Sequence, residues 1–315
     1  MRRDLLVLST AATFGALLLT ACGSRQAASR PPADTPTASA GTSSCTTAAT
    51  PDGPDGSTGR RASSAAVPAE QQEEAAADGV RLTGAIGCQA FEVTNTTDAT
   101  ATFTITFDVV SDAGAALSGA RLTVASVPPG RTVRRAVEPD GPTGGAGGRR
   151  VRIVKVRSVP TAQAPSASGP CPASGVRLYA DDGDAAMGLR VVGLHLGNCG
   201  TRPYTLGGYP RLALFDAAHR PVGSVAILHG GDAVATGTGA DGPPRRLVLR
   251  PGQGAHAELV WRNTTGPDGA PVDAPYVQVV AEPGAAPVMV TPELDLGTTG
   301  RLAVGPWQSD TAARG

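Results

Sequence analysis

Aromatic residues are scarce, at 3% of 315, which leaves too few flat rings for broad platforms on which sugars or bases stack. Neither charge sign is in excess. The 27 basic side chains balance 27 acidic ones, so no net field steers the protein toward nucleic acid or an acidic surface. Methionines number three, and the four histidines, His195, His219, His229 and His256, fall without ligand spacing. With no Cys-x-x-Cys either, nothing in the sequence indicates a metal centre, copper carriage included, and no cofactor is expected. A Gly-x-Ser-x-Gly nucleophile elbow is missing. Gly223-Ser224 lies near His219 and His229 but matches no nucleophile–base spacing. The glycine-rich stretch 141–148 lacks the Lys-Ser/Thr of a phosphate loop. Asp181, Asp182 and Asp184 lack the later glutamate of a calcium-binding EF-hand loop and read as a solvated turn. The expectation is a protein that is not an enzyme.

What is present begins at the N-terminus. Arg2 and Arg3 precede an apolar run over 5–19, of a length usual for an export signal and short for a membrane span. It ends in Leu19-Thr20-Ala21-Cys22, followed by Gly23 and Ser24. Small residues before a cysteine resemble a lipobox, the processing site of bacterial lipoproteins. That resemblance implies removal of 1–21 and acylation of the Cys22 thiol, because stable anchoring needs more than one acyl chain. An ordinary secretory signal is the alternative, and the two arginines also loosely resemble a twin-arginine export signal. No second apolar run is long enough to span a bilayer. The expected location is therefore the extracytoplasmic face of the cell membrane, with the lipid on Cys22 as anchor.

Export places the remaining four cysteines, Cys45, Cys88, Cys171 and Cys199, in an oxidising compartment. Four thiols allow three pairings. Neighbour pairing is the simplest, Cys171 with Cys199 and Cys45 with Cys88. The first would close a loop of about 28 residues, worth roughly 3–4 kcal/mol by chain entropy.

Residues 22–78 are dominated by Ala, Ser, Thr, Pro and Gly, too polar to bury a core, and read as a disordered tether. Within it, 70–77 suits at most a transient helix. Beyond it, short alternating runs separated by Gly, Pro, Asn and Asp recur every 8–12 residues, the pattern of β-sandwiches. The fold class expected is all-β, with two immunoglobulin-like β-sandwich domains at 79–159 and 171–307, a linker at 160–170 and a disordered tail at 308–315. In the first, 103–109 alternates with period two. The last strand, Val151-Arg152-Ile153-Val154-Lys155-Val156, is expected to place Val151, Ile153 and Lys155 on one face and Arg152, Val154 and Val156 on the other. In the second, 189–196 and 256–261 carry the same alternation. Tyr209 is expected in a turn against the sandwich edge and Trp261 in the core. Trp307 suits either a last core plug or an exposed position. Asn95-Thr96-Thr97 and Asn263-Thr264-Thr265 fit a glycosylation sequon, but no such modification is expected in a bacterium.

In the second half the residues run Cys171, Asn198-Cys199, Leu206-Gly207-Gly208-Tyr209-Pro210 with a strand ending in Asp216, then Leu249-Arg250-Pro251-Gly252-Gln253-Gly254-Ala255-His256-Ala257 closing on Trp261. This order resembles the domain of unknown function 4232 family, found on secreted proteins and lipoproteins of GC-rich Gram-positive bacteria. The resemblance covers roughly 170–307. It implies a β-sandwich with a disulfide joining Cys171 to Cys199. Many members carry a further cysteine pair in their C-terminal part, and this chain has none after Cys199. The family has no assigned biochemical role. The function expected is a non-catalytic binding or structural module in the cell envelope, whose partner is another envelope protein, a wall polymer or a secreted ligand. The competing readings are a cell-wall-modifying hydrolase and a carrier of metals or small solutes.

Overall fold

The computed structural model describes residues 76–83, 90–111, 113–137, 150–267 and 269–310. Cys22, Cys45 and Cys88 lie outside the described residues, as do residues 1–21, expected to be a signal peptide, most of the expected tether and the glycine-rich stretch 141–148. The described chain is all-β. Its only helical pieces are two single 3-10 turns, Thr161–Gln163 and Gly231–Ala233.

The first seven strands are β1 (Ala76–Ala77), β2 (Val80–Thr83), β3 (Ala90–Thr94), β4 (Ala101–Val110), β5 (Ala116–Val127), β6 (Thr132–Ala136) and β7 (Arg150–Pro160). They form two sheets, β1-β2-β3-β6 and β5-β4-β7. Alternation in β4 buries Phe103, Ile105, Phe107 and Val109. These meet Phe91 and Val93 of the other sheet in one core, with the Phe91 and Phe107 rings 5.1 Å apart. This is a sandwich, as the period-two pattern predicts.

Two expectations need correction here. Residues 76 and 77, read as the end of the tether and of a transient helix, are a strand. They fold back on β2 through Asp78 and Gly79, both at positive φ (45° and 78°). Asp-Gly is the favoured two-residue hairpin turn. In β7 the strict alternation fails. Thr106 faces Lys155 and Phe107 faces Ile153, so Val154 is an extra residue bulged out of the ladder. The bulge leaves Val154 49% exposed and turns Val156 inward beside Val151 and Ile153.

The second set of strands is β8 (Val176–Ala180), β9 (Asp184–Ala186), β10 (Leu189–Asn198), β11 (Tyr204–Gly207), β12 (Arg211–Phe215), β13 (Ala226–His229), β14 (Arg246–Leu249), β15 (Gly254–Arg262), β16 (Asp273–Ala274), β17 (Tyr276–Val280), β18 (Val288–Val290), β19 (Leu294–Asp295), β20 (Arg301–Val304) and β21 (Gln308–Ser309). One sheet runs β13-β20-β15-β10-β8, with β9 on β10 and β21 on β15. Its inner face packs on the two-stranded sheet β11-β14 and the three-stranded sheet β12-β17-β18 through Leu194, Leu259, Trp261, Leu206 and Val277. Trp307 is buried to 1% exposure and donates its Nε1–H to the carbonyl of Ala281, so it is a core plug. Cys171 and Cys199 form a disulfide with Cα atoms 5.7 Å apart. Residues 308 and 309, assigned to the tail, are strand β21, paired with His256 and Ala255. Two residues are too short a run for any periodicity to reveal.

Both sandwiches belong to one compact unit. The stretch 160–170, read as a plain linker, is tied down. Gln278 donates to Gln163, and the amide of Ser166 donates to Leu178. Val159 of β7 packs with Tyr276 and Met289 of the second sandwich. Arg157 of β7 makes a two-pronged ion pair to Glu293, at 2.8 and 2.7 Å, and Lys155 reaches the same carboxylate at 3.3 Å.

Candidate functional site

The site is built on the outer face of the sheet formed by β8, β10, β15 and β21. Val192, Leu194 and Leu196 of β10 point into the core, as do Ala255, Ala257, Leu259 and Trp261 of β15. Side chains alternate across a strand, so Gly193 and His195, and His256 and Glu258, point outward. Strand register then sets one row across four strands. His195 lies opposite Tyr179 on one side and His256 on the other, and His256 lies opposite Gln308.

Each imidazole is held by a carboxylate. Asp181 Oδ2 lies 2.9 Å from His195 Nε2, while its Oδ1 accepts the amides of Gly183 and Gly193 at 3.0 and 2.9 Å. The Tyr179 ring stacks on His195 with centroids 5.0 Å apart. Asp310 Oδ1 lies 2.8 Å from His256 Nδ1. A carboxylate only accepts, so His195 Nε2 and His256 Nδ1 each carry the donated proton.

Both pairs stand over a glycine. A Cβ on Gly193 would come within 2.8 Å of His195 Nε2 and closer still to Asp181 Oδ2. A Cβ on Gly254 would run into the Asp310 carboxylate. Glycine inside a strand weakens it and marks places where something must approach closely. Here the approaching groups are the two carboxylates. Beside the Asp181–His195 pair stands Glu258, opposite Gly193. Burial pushes its carboxyl above the usual range. His256 and His195 oppose that rise, and Asp181 and Asp184 add to it.

The face therefore offers two oriented imidazoles, each with a second nitrogen free of its carboxylate, beside three carboxylates. It can exchange protons and make directional hydrogen bonds to a polar partner. Among the described residues no group of three or more His, Cys, Asp and Glu is placed to hold a metal ion.

Residues 171–308 match the family model described as Domain of unknown function (DUF4232). The DUF4232 region holds every residue of the row, and Asp310 lies just past its end. No curated protein matches the chain.

Other residues singled out from the sequence fall elsewhere. Asp181 is not simply part of a solvated turn, since it orients His195. Asp182 is exposed and pairs with Arg121 of the first sandwich at 2.7 Å. His219 stacks on Tyr276 with centroids 4.0 Å apart, and His229 stacks on Tyr209 at 4.1 Å. Tyr209 thus sits in its turn against the edge of the DUF4232 core. Trp261 is core, and its Nε1–H donates to Asp295, which also accepts from Asn263. Sequence reasoning missed the meeting of His195 with His256 and the part of Asp310. The available signal was the outward position of each histidine in its own alternating strand.

Proposed function

We propose that this chain is an exported, lipid-anchored protein of the cell envelope. It displays the DUF4232 domain outside the cytoplasmic membrane as a non-catalytic binding module, and the histidine–carboxylate face is its contact surface. One observation carries the reading: two Asp–His pairs are built over strand glycines on an outer face, where they add nothing to the hydrophobic core. Polar groups oriented this way on rigid strands are suited to recognition. The partner is an envelope protein, a wall polymer or a secreted ligand able to accept or donate hydrogen bonds to imidazole. Cys22 supplies the anchor.

The test has two arms. Cys22→Ser should move the protein from the membrane fraction into the medium; retention on the membrane would refute the lipid anchor. Cross-linking in intact cells should capture a partner that is lost when His195 and His256 are both replaced by Ala. Equal capture by the folded double variant would remove the face from the proposal.

A further inference from the structure

A second feature lies away from that face, at the junction of the two sandwiches. It is a groove of about 490 Å³ walled by Arg157 of the first sandwich and by the 216–220 loop, Asp273 and Glu293 of the second. Ligand sites favour such junctions, and this volume suits a small ligand.

The walls are already fixed. Arg157 spends its Nε and Nη2 on Glu293 and its Nη1 on the carbonyl of Val156. Asp216 Oδ1 accepts the amides of Ala218 and Arg220 at 2.9 Å each, and Oδ2 takes the Arg220 guanidinium at 2.7 Å. The Arg220 amide and guanidinium hold the Asp216 carboxyl below the usual range. Four of the five charged groups thus have partners, and Asp273 is the exception among the described residues.

What remains open has two signs. Arg220 contacts Asp216 through Nε and Nη2 only, which leaves the Nη1 hydrogens of its fork unused. Asp273 makes no side-chain hydrogen bond or ion pair among the described residues, although its backbone pairs with Asp295. Between these charges the lining is small and apolar: Ala217, Ala218, Pro275 and Leu294. A ligand of one sign would meet one open partner and one open repeller.

We infer that this groove binds a small zwitterion, a short peptide carrying a free ammonium for Asp273, a free carboxylate for Arg220 and small side chains between them. The site is independent of the histidine face, so either can fail without the other.

The probe is alanyl-alanine, titrated into the ¹⁵N-labelled chain without its signal peptide. The amide signals of Ala217, Ala218 and Arg220 should shift saturably while those of His195 and His256 stay still. Capping the peptide as its N-acetyl or its C-amide derivative should each weaken binding about tenfold, equivalent to about 1.4 kcal/mol. Asp273→Asn, a change at an exposed side chain, should weaken the free dipeptide by a similar factor and leave the N-acetyl form unaffected. Three results would each overturn the inference: no shift at concentrations about tenfold above a millimolar Kd, equal binding of the capped forms, or unchanged binding by Asp273→Asn.

Discussion

Two asparagines show how single residues close both sandwiches. Asn95 directly follows β3 and is fully buried. Its Nδ2 donates to the carbonyls of Ala99 and Val127, and its Oδ1 accepts the amide of Thr97. Asn198 ends β10 and repeats the arrangement, donating to Arg202 and Leu249 and accepting from Gly200. Each asparagine carbonyl also accepts the amide of a turn glycine, Gly130 or Gly252. The residues were visible in the sequence as Asn-Thr-Thr and Asn-Cys beside two Pro-Gly turns. Their partnership was not, because the hydrogen bonds span 32 and 51 residues. Burying an amide this way is stable only while every group is paired. Asn198→Ala should leave the Leu249 carbonyl without its Asn198 donor in the core and cost about 1–3 kcal/mol, read as a lower urea midpoint at constant m-value. A loss under about 1 kcal/mol would mean that water replaces the side chain.

At the scale of elements, alternation located most of the long strands because each covers half of a core. It failed where the chain leaves period two or is too short to show it. β13 and β21 have four and two residues and are defined by their partners. The Val154 bulge inverts the faces of half of β7, and no local composition announces it. The same limit hid the functional face. Membership of His195 and His256 in strands was legible, but their adjacency depends on the register of β10 against β15, which the whole core decides. No local feature of Gly193 or Gly254 announces the carboxylates that stand over them. The bulge gives a sharp test. Deleting Val154 removes the extra residue and leaves simple alternation, with Val151, Ile153 and Val156 still facing the core and Lys155 on the other face. Cooperative unfolding of the first sandwich should therefore be kept. Val154→Thr, which keeps the residue count at an exposed position, should stay within about 0.5 kcal/mol of the parent. Loss of cooperative unfolding in the deletion variant would show that Val154 is not simply an extra residue in the ladder.

At the scale of the whole molecule, the two sandwiches share a plan. In each, one strand pairs with a second, which pairs with the strand after the Pro-Gly turn (β2-β3-β6 and β8-β10-β15). What joins them could not be read from the sequence, since the stretch 160–170 has a linker's composition and the contacts come from distant residues. Tyr276 is central to that junction. Its hydroxyl accepts the amide of Ser158 at 3.3 Å, the Arg157 guanidinium lies 5.8 Å from its ring centroid, and His219 stacks on it. Burial lowers the pKa of His219 from its ordinary 6.5, and Arg157 lowers it further against the opposing pull of Asp216. The folded chain therefore binds this proton less tightly than the unfolded chain. By linkage, the contribution of neutral His219 is complete above about pH 6.5 and is lost as pH falls below it, levelling off once pH passes the depressed folded value. His219→Gln keeps a planar polar side chain without a titration. Its melting temperature, compared with the parent between pH 7.5 and 5 (about one unit above and about 1.5 units below 6.5), should fall less steeply. The difference should appear only below about pH 6.5. Parallel curves for the two proteins would show that the junction does not sense this proton.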